Sequence, residues 1–183
     1  MSRISHPVAG EYAAFYAGYI AGLNGADPLD VLARQIPSLR AACAGLAESE
    51  ALHRYAPGKW SVKEVIGHIS DSERIFAYRA MRIARGDATQ LAGFDENQFV
   101  AAAGFDARPL AELIAELEAV RAATLALLRG LGDDAWERRG TANGMEISVR
   151  ALVYIMAGHA EHHLRILADR YGVPLPGAGI TAA

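Results

Sequence analysis

The chain has 183 residues, 52% hydrophobic and 21% charged, with a mean hydropathy of +0.10. It can close one apolar core without staples. Lys+Arg 18 against Asp+Glu 21 gives a net charge of −3, which excludes a general nucleic-acid or anionic-membrane binder, because phosphates demand a basic surplus. The single cysteine, Cys43, excludes a disulfide framework and any cysteine-based zinc site. Alanine supplies 37 residues and β-branched runs are scarce, so the expected class is all-α.

No apolar stretch approaches the roughly 18–20 residues of a membrane span. Met1 to Leu23 carries Glu11 among its aromatics and has no smooth apolar region with a cleavage site, so it does not read as a signal peptide. The expectation is a single cytoplasmic domain over 1–183, its core in about 8–171, with no membrane or nucleic-acid partner.

In chain order, Tyr12, Tyr16, Tyr19 and Leu23, with Phe15 beside them, predict a short aromatic helix that Asn24-Gly25 stops. Its aromatic face suits packing within the subunit or against a second copy. Asp27 and Pro28 read as the cap and first residue of the next helix. Its seam of Leu29, Leu32, Ile36, Leu39, Cys43 and Leu46 is interrupted by Pro37, which predicts a kink or break. Cys43 lies in that seam as inert packing.

Ser61 and Glu64 form a capping box, and Trp60 with Val65 a hydrophobic staple, opening a helix that Gly86 ends. Its apolar side is Val65, Ile69, Phe76 and Ile83. Asp87 to Ala107 reads as a long connection with a helical turn near Glu96–Ala102. Leu110, Leu113, Leu117, Val120, Thr124, Leu127 and Leu131 mark the third long helix. A short turn at Asp133–Trp136 and a turn or hairpin around Asn143-Gly144 follow. Ser148 caps a last helix over about Val149–Tyr171, and the tail from Gly172 is expected to be loosely held. Four long helices in one domain favour a four-helix bundle, whose interior is where side chains from distant segments meet.

Six histidines are present. On a helix His159 and His163 stack one turn apart, on the face shared by Leu152 and Ile166, so the pair points inward. Two buried imidazoles need partners, which a metal supplies. His68, one turn after Val65, is the best third ligand, although a lone histidine on an apolar face is more often a hydrogen-bonded core residue. Ala160 follows His159, so the zincin H-E-x-x-H is absent, and Glu161 falls on the opposite face, toward solvent. The only E-x-x-H is Glu50 to His53, which fails the paired di-iron pattern.

The block Lys59-Trp60-Ser61-Val62-Lys63-Glu64-Val65-Ile66-Gly67-His68-Ile69, continued by Arg79 to Asp87, together with Gly158-His159-Ala160-Glu161-His162-His163, resembles the DinB/YfiT-like superfamily over nearly the whole chain. The resemblance implies an up-down-down-up four-helix bundle holding one divalent ion on three histidines. By position those ligands fall on His68, His159 and His163. It also implies a homodimer and a metal-dependent enzyme acting on a small-molecule substrate, either a thiol S-transferase or isomerase using a low-molecular-weight thiol, or a hydrolase. A non-catalytic bundle with a structural or sensing site is the alternative.

Three imidazoles suit Zn or Ni first among divalent transition metals and leave the ion's charge uncancelled. Asp71, at i+3 from His68, is a candidate to orient a ligand or receive a proton. Arg74, Arg79, Arg82 and Arg85 read first as a solvated face complementing the helix C-terminus. At a site mouth they would instead grip the carboxylates of an acidic thiol. Tyr78, Tyr154 and Trp136 are candidates to line the pocket.

Overall fold

The computed structural model describes residues 4–175. A 3₁₀ turn at Ala14–Tyr16 leads into α1 (Ala17–Ala21), followed by α2 (Pro28–Cys43), α3 (Glu48–Ala51), α4 (Val62–Ala84), α5 (Glu96–Ala103), α6 (Leu110–Arg129), the hairpin β1 (Arg139–Ala142) and β2 (Met145–Ser148), and α7 (Val149–Tyr171). The four long helices α2, α4, α6 and α7 form the bundle.

Two apolar clusters give their directions. One end packs Leu32 of α2, Ile83 of α4, Leu128 of α6 and Leu152 of α7. The other packs Leu39, Ile66, Leu113 and Leu167 of the same helices. So α2 and α7 run one way and α4 and α6 the other, in the up-down-down-up order. Neighbours around the ring are α2, α6, α4 and α7, which leaves the sequential pairs α2/α4 and α6/α7 on the diagonals.

The caps form where the residue types demand them. Asp27 accepts from the N–H of Leu29 at 2.9 Å with Pro28 in the first turn, and Ser61 accepts from Glu64 N–H at 3.0 Å while Glu64 reaches back to Ser61 N–H at 2.9 Å. Ser148 accepts from Ala151 N–H at 3.1 Å. Asn143 and Gly144 both take positive φ, at 53° and 73°, the conformation a two-residue hairpin turn requires. Leu91 pairs with this hairpin, which ties the long connection down.

Three expectations are corrected. Pro37 does not break α2: it faces solvent with Ala33, so water can take the freed carbonyl while the buried face holds the helix together. The aromatic segment is only the 3₁₀ turn and the five residues of α1, because Gly18 and Gly22 weaken any longer helix. Its rings Tyr12, Tyr16 and Tyr19 pack on the subunit's own core, whereas Phe15 is 64% exposed. The tail is held at its start: Gly172 takes φ +70°, Val173 donates to the Leu167 carbonyl at 3.1 Å, and Val173 is buried. Its remainder, 176–183, lies outside the described residues.

Candidate metal centre

α4 brings His68, and α7 brings His159 and His163, to one point. A nitrogen from each ring lies within 4.8 Å of the other two, and the Nε2 atoms of His68 and His159 stand 3.0 Å apart. The glycine preceding each anchor residue makes this possible. A Cβ at Gly67 would fall 2.5 Å from the Phe105 ring, and one at Gly158 would fall 2.1 Å from the Tyr19 carbonyl oxygen. The bare face at Gly158 lets α1 lie against α7, which sets the Tyr19 ring on its edge against His159 and His162, at 5.5 and 5.4 Å. Trp60, just before the α4 cap, lies 4.6 Å from the His68 ring, and Phe76 closes on His159 at 5.7 Å.

The aromatic wall removes water, and burial disfavours the charged imidazolium. Burial pulls His68 down to about 4. It does the same to His159, with help from the neighbouring His68 and His162, to about 3. His163 is lowered as well, first by burial and then by His159 and His68. All are neutral near pH 7, the protonation state a metal ligand needs. A metal–nitrogen distance of about 2.0–2.1 Å sets tetrahedral ligand atoms about 3.3 Å apart, near the His68–His159 spacing. The residues present therefore fit a divalent ion.

A cavity of about 330 Å³ opens on the cluster. Tyr16, Tyr19, Trp60 and Phe76 line it with Phe15 and Phe94, and its polar wall carries Ser72, Arg79, Glu96 and Asn143. Among the described residues Ser72 Oγ is buried without a hydrogen-bond partner. Arg79 is 3% exposed and donates Nη2 to the Ala92 carbonyl at 2.7 Å.

Other sequence candidates fall elsewhere. Asp71 does not line the cavity; its carboxylate lies 3.4 Å from Arg74, and burial raises its pKa. Tyr78 is half exposed beside Arg82, Tyr154 donates to the Ile4 carbonyl, and Trp136 packs on the first cluster, so none of these three lines the cavity. Glu161 does not face solvent alone, since Gln35 Nε2 donates to it at 3.0 Å. Cys43 is buried, which pushes its thiol up to about 11, beyond nucleophilic use. Ser72 has no motif to mark it beyond its spacing four residues after His68, and Tyr19 is legible as part of the aromatic segment but not as a neighbour of the histidines.

Fold and site together define a helical bundle with an inward-facing histidine cluster. Residues 32–167, well over half of the chain, match the DinB superfamily, and the protein belongs to that family. It is 25% identical over 135 residues to a protein of Geobacillus thermodenitrificans named "Putative metal-dependent hydrolase", covering 71% of this chain and 75% of that one. It is 27% identical to a like-named protein of Geobacillus kaustophilus, covering 74% and 78%. Among solved structures it resembles YfiT from Bacillus subtilis, described as a probable metal-dependent hydrolase with an unusual four-helix bundle topology, at TM-score 0.71 and 21% identity over 79% of this chain and 86% of that one. A mycothiol-dependent maleylpyruvate isomerase aligns at TM-score 0.63 and 15% identity, covering 80% of this chain and 60% of its own. At these identities the two structures share the fold.

Proposed function

We propose that the protein is a divalent-metal-dependent hydrolase of a small molecule, with zinc or nickel held by His68, His159 and His163. The observation that carries this reading is the convergence of three neutral imidazole nitrogens within 4.8 Å at the floor of a cavity. When bound, the ion supplies Lewis acidity and makes water acidic near neutral pH, so that hydrolysis needs no H-E-x-x-H glutamate. Trp60, Phe76 and Tyr19 pack against the imidazole rings and hold them in place. Ser72 lies in the same wall, its Oγ buried and without a partner among the described residues.

Elemental analysis of tag-free protein tests the metal. The expected result is one equivalent of zinc or nickel in the wild type, lost in His68→Ala, His159→Ala and His163→Ala. No uptake after reconstitution with either metal overturns the reading. Assaying ester and amide hydrolysis with and without added thiol then decides the reaction. A rate that appears only with a low-molecular-weight thiol would replace hydrolysis by thiol transfer.

A further inference from the structure

The four arginines of α4 differ in their partners. Arg74 meets Glu116 at 2.7 Å, Arg82 pairs with Asp87, and Arg85 is exposed at the helix end. Of the four, Arg79 alone turns into the cavity, where it is 3% exposed and makes one hydrogen bond among the described residues, to the Ala92 carbonyl. Among the described residues no carboxylate lies within ion-pair distance of it. Arg121 is equally buried, yet Glu73 takes its guanidinium through both carboxylate oxygens, at 2.7 to 3.0 Å. A buried guanidinium without an anion is strongly disfavoured, and it stays charged at any physiological pH. Two turns earlier on the same helix, Ser72 Oγ is a buried polar atom with no partner among the described residues. His68, Ser72 and Arg79, at i, i+4 and i+11, form one line along the inner face of α4.

We propose that Arg79 is the recognition residue for a carboxylate on the substrate, placed several bonds away from the reacting group. The inference rests on the metal-centre reading for which end reacts. One guanidinium with no second Lys or Arg side chain in the lining matches a planar monoanion, to which its fork can donate twice. Glu96 in the same wall opposes a dianion such as a phosphate monoester. Phe15 and Phe94 offer apolar area to the body of the molecule, while the Tyr16 phenol lies in the field of Arg79 and Glu96. The eleven residues from His68 to Arg79 span about 16 Å of helix, shortened by the two side chains, which sets the separation of the two ends.

Titration of the zinc-loaded full chain with hexanoate and its neutral isostere hexanamide tests this. Hexanoate binding is expected to weaken at least tenfold in Arg79→Gln, to be partly kept in Arg79→Lys, and to be unchanged in Arg85→Gln. Hexanamide is expected to be insensitive to all three. If Arg79→Gln fails to fold, the ¹⁵N side-chain signals of wild-type arginines serve instead, with the Arg79 Nε–H expected to shift as hexanoate saturates. No binding of hexanoate, equal affinity in Arg79→Gln, or an unmoved Arg79 signal overturns the proposal. Repeating the titration without zinc separates the two readings. Arg79-dependent binding in a protein that takes up no metal leaves the carboxylate site standing and removes the metal centre. Metal uptake without Arg79-dependent binding does the reverse.

Discussion

Ser72 and Glu73 are neighbours on α4, both at most 2% exposed, and they serve opposite arrangements. Glu73 joins a closed network in which Arg121 takes its carboxylate and also donates to the Leu32 carbonyl and to Gln35 Oε1, at 3.2 Å for the latter. Gln35 then donates to the Ala157 carbonyl and to Glu161. That chain of bonds touches all four long helices and pairs the buried charge of Arg121 with that of Glu73. Ser72, Arg79 and the imidazoles face the other way, onto the cavity, with hydrogen-bonding capacity left over. Buried polar groups that satisfy one another organise the bundle, and those left short of partners mark where a ligand completes the set.

The largest expected effect comes from opening the closed network. Glu73→Gln or Arg121→Met leaves one uncompensated charge or a set of orphaned acceptors, and is expected to cost about 3–5 kcal/mol in urea unfolding. Whatever fraction stays folded should still take up metal. Loss of metal at full stability would break the separation between the two regions.

Much of the frame was legible because capping and seams depend on one helix at a time. Asp27, Ser61 with Glu64, and Ser148 cap where their residue types predict, and the pair His159/His163 faces inward because Leu152 shares its stripe. What a side chain meets on another helix was not legible. Arg121 and Gln35 belong to no local pattern, and Arg79 resembles its three solvated neighbours until the connection after α4 brings the Ala92 carbonyl to it. The glycines before His68 and His159 likewise matter only through Phe105 and Tyr19, both distant in sequence.

The histidine end responds to pH with a definite sign. Burial puts the folded His68 near 4 and His159 near 3, against about 6.5 when unfolded, so the unfolded chain binds protons first on acidification. The metal-free protein therefore keeps its full stability above about pH 6.5 and loses it as pH falls toward 4, by up to about 1.4 kcal/mol per pH unit for each such histidine. Glu11, lowered chiefly by its bond to Arg150, adds to the loss only below its unfolded value of 4.5. Urea midpoints between pH 7 and 5 check this, and His68→Ala should flatten the slope. Gly158→Ala comes next in size. Helix propensity favours alanine, but the clash with the Tyr19 carbonyl is expected to win by about 1–3 kcal/mol and to lift α1, raising its amide exchange.

The smallest effect is also the sharpest contrast, because it uses one substitution at two buried serines. Ser148 accepts from Ala151 N–H and donates to Glu11 at 2.9 Å, so Ser148→Ala removes a helix cap and is expected to cost about 1 kcal/mol. Ser72 has no such bonds, and Ser72→Ala removes an orphaned hydroxyl from a helix interior that favours alanine. Stability should stay level or rise by up to about 1 kcal/mol, read as thermal melts of the two variants side by side. Destabilisation by Ser72→Ala as large as that of Ser148→Ala would mean that the hydroxyl is bonded in solution. The cavity wall would then belong with the closed network rather than with the ligand.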